Sequence, residues 1–162
     1  MKLTDLDLEL LNGLGPIKIN GELGTHNVQT INLPQLKESG HINVYNAQTI
    51  SLPQLQKCRH FYAEKTEKIN LPQLKESGGI FAPNAQTIDF PQLQKSGGIY
   101  ADRAQTISLP QLKESGNIYA ESAQTITIQN HLRVKLKNVP EDCSIEESPS
   151  KLTLEQVYER ML

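Results

Sequence analysis

Residues Ile107 to Thr125 read ISLPQLKESGNIYAESAQT, and near-copies begin at Ile88, Ile69, Ile50 and Ile31, each 19 residues from the next. A fixed period this short is the signature of a stacked repeat protein, in which each unit buries its apolar face against its neighbours. Thr106-Ile107-Ser108-Leu109 and Asn117-Ile118-Tyr119-Ala120 alternate polar and apolar residues. Period-two alternation marks half-buried strands, with Ile107, Leu109, Ile118 and Ala120 inward and Leu112 adding an inward residue at a corner. Nineteen residues are too few for a strand and a proper helix, so each coil is expected to hold two or three short strands and tight corners. Pro110 and its equivalents Pro34, Pro53, Pro72 and Pro91 follow a strand end, where no ladder donor is lost. Ser115-Gly116, with Ser39-Gly40, Ser77-Gly78 and Ser96-Gly97, is expected to form a tight turn in which glycine supplies a positive φ.

Stacked coils pair as parallel strands about 4.8 Å apart, so six of them make a rod about 25–30 Å high and every column of the repeat becomes a ladder. One column reads Glu38, Lys57, Glu76, Lys95, Glu114, alternating in sign at every step. The preceding column, Lys37, Gln56, Lys75, Gln94, Lys113, separates its like charges with glutamine. In-register stacking rewards both patterns, since opposite charges attract across neighbouring strands and like charges repel, by up to about 1 kcal/mol each. The unit is therefore a charge-alternating pair of coils. The glutamine columns, Gln35 to Gln111 and Gln48 to Gln124, are expected to stack their amides and stabilise the coils.

The expected fold class is all-β: a parallel β-solenoid of 19-residue coils with a short C-terminal strand and a capping α-helix. Residues 1–30 read as an N-terminal cap and a degenerate first coil, in which Leu14, Ile17 and Leu23 anticipate Leu33, Leu36 and Ile42. Residues 31–128 read as five full coils and a partial sixth. Residues 129–162 read as a strand (131–139, with Leu132, Val134 and Leu136 on one face), an acidic linker (140–150) and a helix (153–162). Thr153 and Gln156 fit a capping box, and Leu154, Val157, Tyr158 and Met161 share a face. That helix either plugs the open end of its own solenoid or docks on a second chain as a homodimer contact.

Only 5% of residues are aromatic and tryptophan is absent, which suits a narrow solenoid filled by Ile, Leu, Val and Ala. A formal charge of -2 lacks the basic excess of an electrostatic nucleic-acid binder. Cys58 and Cys143 do not make a disulfide framework and are expected to be free thiols. The acidic N-terminal MKLTDLDLELL does not read as a signal peptide, and no stretch approaches membrane-spanning length. A cytoplasmic protein without membrane or nucleic-acid partners is expected.

The phrase I-x-L-P-x-L followed by G-x-I-x-A, carried by Ile50, Leu52, Pro53, Leu55, Ile99, Ala101 and their repeats, resembles bacterial leucine-rich-like and β-solenoid repeat proteins over roughly residues 31–128. The chain departs from true leucine-rich repeats in its shorter period and in Ala104 and Ala123, which stand where an asparagine ladder would be. It also departs from hexapeptide and pentapeptide solenoids, whose coils follow multiples of six and five. The resemblance implies a binding scaffold more often than an enzyme.

Catalytic signatures are lacking: there is no G-x-S-x-G, H-E-x-x-H, phosphate loop or C-x-x-C, and Gly13-Leu14-Gly15 reads as a cap turn. The chain is expected to be no enzyme and to need no cofactor. The coil 50–68 departs most from the repeat, placing Lys57, Arg59, His60, Lys65 and Lys68 around one turn. These residues are the first candidate partner-binding patch, weighed against simple drift of an exposed corner. His41 shares the column of His60, and Cys58 lies near, so a metal or minor enzyme site is an alternative that lacks a fourth ligand. Tyr62, Phe81, Tyr100 and Tyr119, below Asn43, form an outward aromatic column beside Glu64, Asp102 and Glu121. Such a stripe either marks a partner surface or stabilises the stack by ring contact alone. Thr30/Asn32 to Thr125/Thr127 form a second outward face, similar to the Thr-x-Thr face of ice-binding solenoids but interrupted by Lys68 and Asp89. The leading expectation is a non-catalytic protein-binding module, with a bacterial or phage-encoded inhibitor as the setting that fits its size. The alternatives are an ice- or surface-binding protein and a metal site at His41, Cys58 and His60.

Overall fold

The chain is a parallel β-solenoid whose coils contribute a long strand to one eight-stranded sheet and a short strand to one of two smaller sheets, of four and three strands. The computed structural model describes residues 2–3, 10–11, 13–25, 28–129 and 135–148. The long strands are β1 (Lys2–Leu3), β2 (Ile17–Thr25), β4 (Leu36–Asn43), β6 (Lys57–Tyr62), β8 (Glu76–Phe81), β10 (Lys95–Tyr100), β12 (Asn117–Tyr119) and β14 (Lys135–Lys137). They pair in that order into one parallel eight-stranded sheet. The short strands are β3 (Thr30–Asn32), β5 (Thr49–Ser51), β7 (Lys68–Asn70), β9 (Thr87–Asp89), β11 (Thr106–Leu109), β13 (Thr125–Gln129) and β15 (Ser144–Ser148). Proline follows the short strand at Pro53, Pro72, Pro91 and Pro110 and opens each corner, as expected of a residue without an N–H.

The register is that of the repeat. Ile50 lies opposite Ile31 and Ile69, Ile107 opposite Ile88 and Ile126, and Ile99 opposite Ile80 and Ile118. The core is a stack of these columns, with Leu55, Leu74, Leu93 and Leu112 at one corner and Ala47, Ala85, Ala104 and Ala123 at the other, all essentially inaccessible. Phe61 and Phe90 are its bulkiest side chains. Ile17 and Leu23 pair with Leu36 and Ile42, so the degenerate first coil is part of the stack, whereas Leu14 is exposed and takes no core position.

Ser-Gly is not a turn. Ser39-Gly40, Ser77-Gly78 and Ser96-Gly97 lie inside the long strands, and none of the described glycines has a positive φ. The strand bends there, which is why Cys58 and Phe61, three residues apart, both face the core. Glycine is required for a different reason. A Cβ on Gly40, Gly78 or Gly97 would collide with the carbonyl oxygen of Gly21, Arg59 or Gly78 in the coil before, and one on Gly116 would lie 2.6 Å from the Gly97 oxygen. The missing side chain lets adjacent coils approach, and the Gly116 amide donates to the Gly97 carbonyl at 2.5 Å.

Two further differences fall at the C-terminal end. Residues 144–148, expected within an acidic linker, form β15 and continue the solenoid by pairing with β13, Ile145 opposite Ile126. The strand expected over 131–139 is described only as β14, whose pairing with β12 closes one residue short of the repeat. The corner that follows gives the residue back through Asn138, held at φ 53°, a conformation asparagine tolerates better than most side chains. The helix expected over 153–162 lies outside the described residues.

Candidate functional site

The outer surface of the eight-stranded sheet carries three parallel columns: charges, glycines and rings. In the charge column, Glu38, Lys57, Glu76, Lys95 and Glu114 stand in register as the alternation requires. Lys57 Nζ lies 2.7 Å from Glu76 Oε2 and Lys95 Nζ 3.1 Å from Glu114 Oε1. Lys18, in the degenerate coil, adds a pair with Glu38 at 2.6 Å that the repeat alone did not suggest. The hydrogen bond and charge of Lys57 hold the Glu76 carboxyl below its ordinary range, and Glu76 holds the Lys57 ammonium above its own.

The ring column is continuous. Tyr62 and Phe81 centroids are 6.4 Å apart, Phe81 and Tyr100 5.9 Å, and Tyr100 and Tyr119 4.6 Å with planes 9° from parallel. His41 and His60 extend it sideways, stacked at 5.0 Å and 8°, with His60 5.9 Å from Tyr62. All fall in the range of favourable ring contacts. The glycines beside them explain how the rings lie. A Cβ on Gly98 would meet the Tyr100 ring at 2.8 Å, and one on Gly79 the His60 ring at 3.3 Å. Tyr100 and His60 therefore lie back over bare glycine, an arrangement that covers backbone and fixes ring orientation together. Asn117 Nδ2 donates to the Tyr119 hydroxyl at 3.1 Å and holds that ring in the same way. Tyr62, Phe81 and Tyr119 are half-buried, and Tyr100 is exposed.

Beside the rings, at the next corner, stand Glu64, Asp102 and Glu121. Burial, and secondarily the charge of Glu121, push the Asp102 carboxyl above its ordinary value. Glu121 accepts from Asn138 Nδ2 at 3.0 Å. Among the described residues none of these three carboxylates is in an ion pair.

The cations of the deviant coil do not form one patch. Lys57 is committed to Glu76, and Arg59 lies in a groove of about 460 Å³ along the glycine column. His60 is within the ring stack. Lys65 turns the corner into a separate polar groove of about 750 Å³, beside Asn84 and Arg103, and Lys68 lies on the short-strand surface. The structure thus brings together His60, Tyr62, Phe81, Tyr100 and Tyr119, and separates Lys65 and Lys68 from them.

Cys58 points into the core, where Sγ lies 3.5 Å from Ser77 Oγ, while the His41 and His60 rings stack outside. Burial pushes its thiol up to about 11. Among the described residues no group of three or more His, Cys, Asp and Glu side chains could hold a metal ion. The Thr-x-Thr surface is likewise not one flat array: β3, β5 and β7 form one sheet and β9, β11, β13 and β15 another. The break falls where Phe90 replaces the leucine of neighbouring coils. Among the described residues, the glutamine amides expected to stack make no side-chain hydrogen bonds with one another; in Gln48, Gln86 and Gln105 they line the polar groove.

No family model matches this chain, no curated protein is significantly similar to it, and no solved structure matches it.

Proposed function

We propose that this chain is a non-catalytic protein-binding module whose binding surface is the ring column of the eight-stranded sheet. The observation that carries the reading is the uninterrupted contact from His41 and His60 through Tyr62, Phe81 and Tyr100 to Tyr119. Rings already fixed against one another, and at His60 and Tyr100 against glycine, lose little freedom when a partner covers them. Tyrosine, with an apolar face and a polar tip, is also among the residues that dominate interface energetics. A rigid binder without catalytic groups acts on its partner by occupying it, so inhibition of that partner is the activity to seek.

The reading extends to the C-terminal end of the stack. Ile145 occupies a core column yet is 51% exposed. Leu154, Val157, Tyr158 and Met161, outside the described residues, offer an apolar face of the kind that would cover it, either from the same chain or from a second copy.

The test is affinity capture by the tagged protein with identification of the retained partner, beside a Tyr62→Ala, Tyr100→Ala, Tyr119→Ala variant of unchanged far-ultraviolet circular dichroism. The variant is expected to lose the partner. Equal recovery by both proteins rules the ring column out as the binding surface.

A further inference from the structure

The charged groups beside the ring column indicate what it binds. At its N-terminal end it adjoins His41 and His60, with Glu64 following Tyr62 at the corner. At its C-terminal end Phe81, Tyr100 and Tyr119 run beside Asp102 and Glu121, carboxylates one coil apart that, among the described residues, have no ion pair. Arg103 follows Asp102 in sequence but lines the polar groove on the other side of the corner. The register also places Lys137 next below Tyr119 in the ring column itself, so the chain already sets a cation at the end of this stack.

We infer that the C-terminal half of this surface, Phe81, Tyr100 and Tyr119 with Asp102 and Glu121, receives a partner segment bearing arginine or lysine side chains. This rests on the protein-binding reading above and adds the partner's chemistry to it. Ring faces attract guanidinium and ammonium groups through their quadrupole, and a carboxylate at the ring edge supplies the charge-assisted hydrogen bond. Arginine fits better than lysine, because its planar group both stacks on a tyrosine and forks onto a carboxylate. The raised Asp102 carboxyl agrees with this, since a nearby cation would relieve both the like charge of Glu121 and the cost of burial.

The experiment titrates the protein with a short blocked peptide alternating arginine and serine, and with the same peptide carrying citrulline, which keeps the shape of arginine and removes its charge. Affinity is measured calorimetrically and the tyrosine ring resonances are followed by NMR. The arginine peptide is expected to bind, to shift the Tyr100 and Tyr119 rings, and to lose roughly tenfold in affinity to Asp102→Asn/Glu121→Gln. The control Glu146→Gln/Glu147→Gln, on the short-strand side, removes as much charge and is expected to leave binding intact. Equal binding of the citrulline peptide, equal loss in both charge variants, or unmoved ring resonances each overturn the inference. Partner capture that survives Asp102→Asn/Glu121→Gln but not the triple tyrosine variant leaves the ring surface as the binding site and removes only its cationic specificity. Capture that survives the triple variant removes both.

Discussion

Lys57 Nζ lies 2.7 Å from Glu76 Oε2 across a single step of the solenoid, and both side chains remain well exposed. An isolated pair of this kind contributes little. Here it belongs to a column in which Glu38 and Lys95 extend the alternation on either side. Lys57→Glu would set three carboxylates on consecutive rungs. The melting temperature should fall by more than in Lys57→Gln, and high salt should remove most of the difference. Exchanging both residues should not restore stability, because it creates like neighbours at Glu38 and Lys95. A fully rescued double exchange would show that the two residues act as a pair and the column has no collective effect.

Neighbouring glycines should respond differently to a single methyl group. Gly97→Ala drives a Cβ into the Gly78 carbonyl, which belongs to the paired backbone and cannot move alone, so a loss of roughly 1–3 kcal/mol is expected in denaturant titration. Gly98→Ala first meets the Tyr100 ring, a side chain that can swing outward. Its stability should change less, while near-ultraviolet circular dichroism and partner affinity change more. Equal stability losses at both positions would contradict this assignment of the two glycine columns.

Burial places the Cys58 thiol at about 11 against an ordinary 9.0. Folding therefore favours the protonated thiol: the folded chain holds a proton that the unfolded chain releases between those values. Stability should be unaffected by this group below about pH 9 and fall as pH rises toward about 11, by roughly 2–3 kcal/mol in the limit. Cys58→Ser installs the residue of the other coils and should flatten that alkaline limb relative to the wild type. In alkylation of the folded protein, Cys143 should react and Cys58 should not. Rapid labelling of Cys58 in the native state would refute the buried assignment.

The short-strand ladder is broken between β7 and β9. The Leu52 amide donates to Asn70 at 3.0 Å and the Phe90 amide to Ser108 at 3.0 Å, but among the described residues the equivalent bond from Leu71 to Asp89 is not formed. Phe90→Leu, matching its column, should let the two sheets join and slow hydrogen exchange at the Leu71 amide, each regained bond contributing about 1 kcal/mol. Unchanged exchange would mean that the bulk of Phe90 does not hold the coils apart.

The period, the inward columns and the charge register were legible in the sequence, because repetition turns one local pattern into a contact map. When Glu38, Lys57, Glu76, Lys95 and Glu114 alternate at a constant spacing, only in-register parallel stacking explains them. The ring column was legible for the same reason. Where the sequence leaves its repeat, the reading weakened. Ser-Gly suggested a turn because glycine serves both positive φ and close approach, and only the neighbouring carbonyls of Gly21, Arg59 and Gly78 distinguish the two. The last coil was hidden by a short step and its recovery at Asn138. The cations of residues 50–68 looked like a cluster because they are adjacent along the chain, yet a coil turns through every face within 19 residues, and tertiary structure distributes them among the sheet, the groove and the short strands. Sequence alone determined which residues share a column. Tertiary structure decided which columns share a surface, because that depends on where each coil bends and how closely it approaches its neighbour.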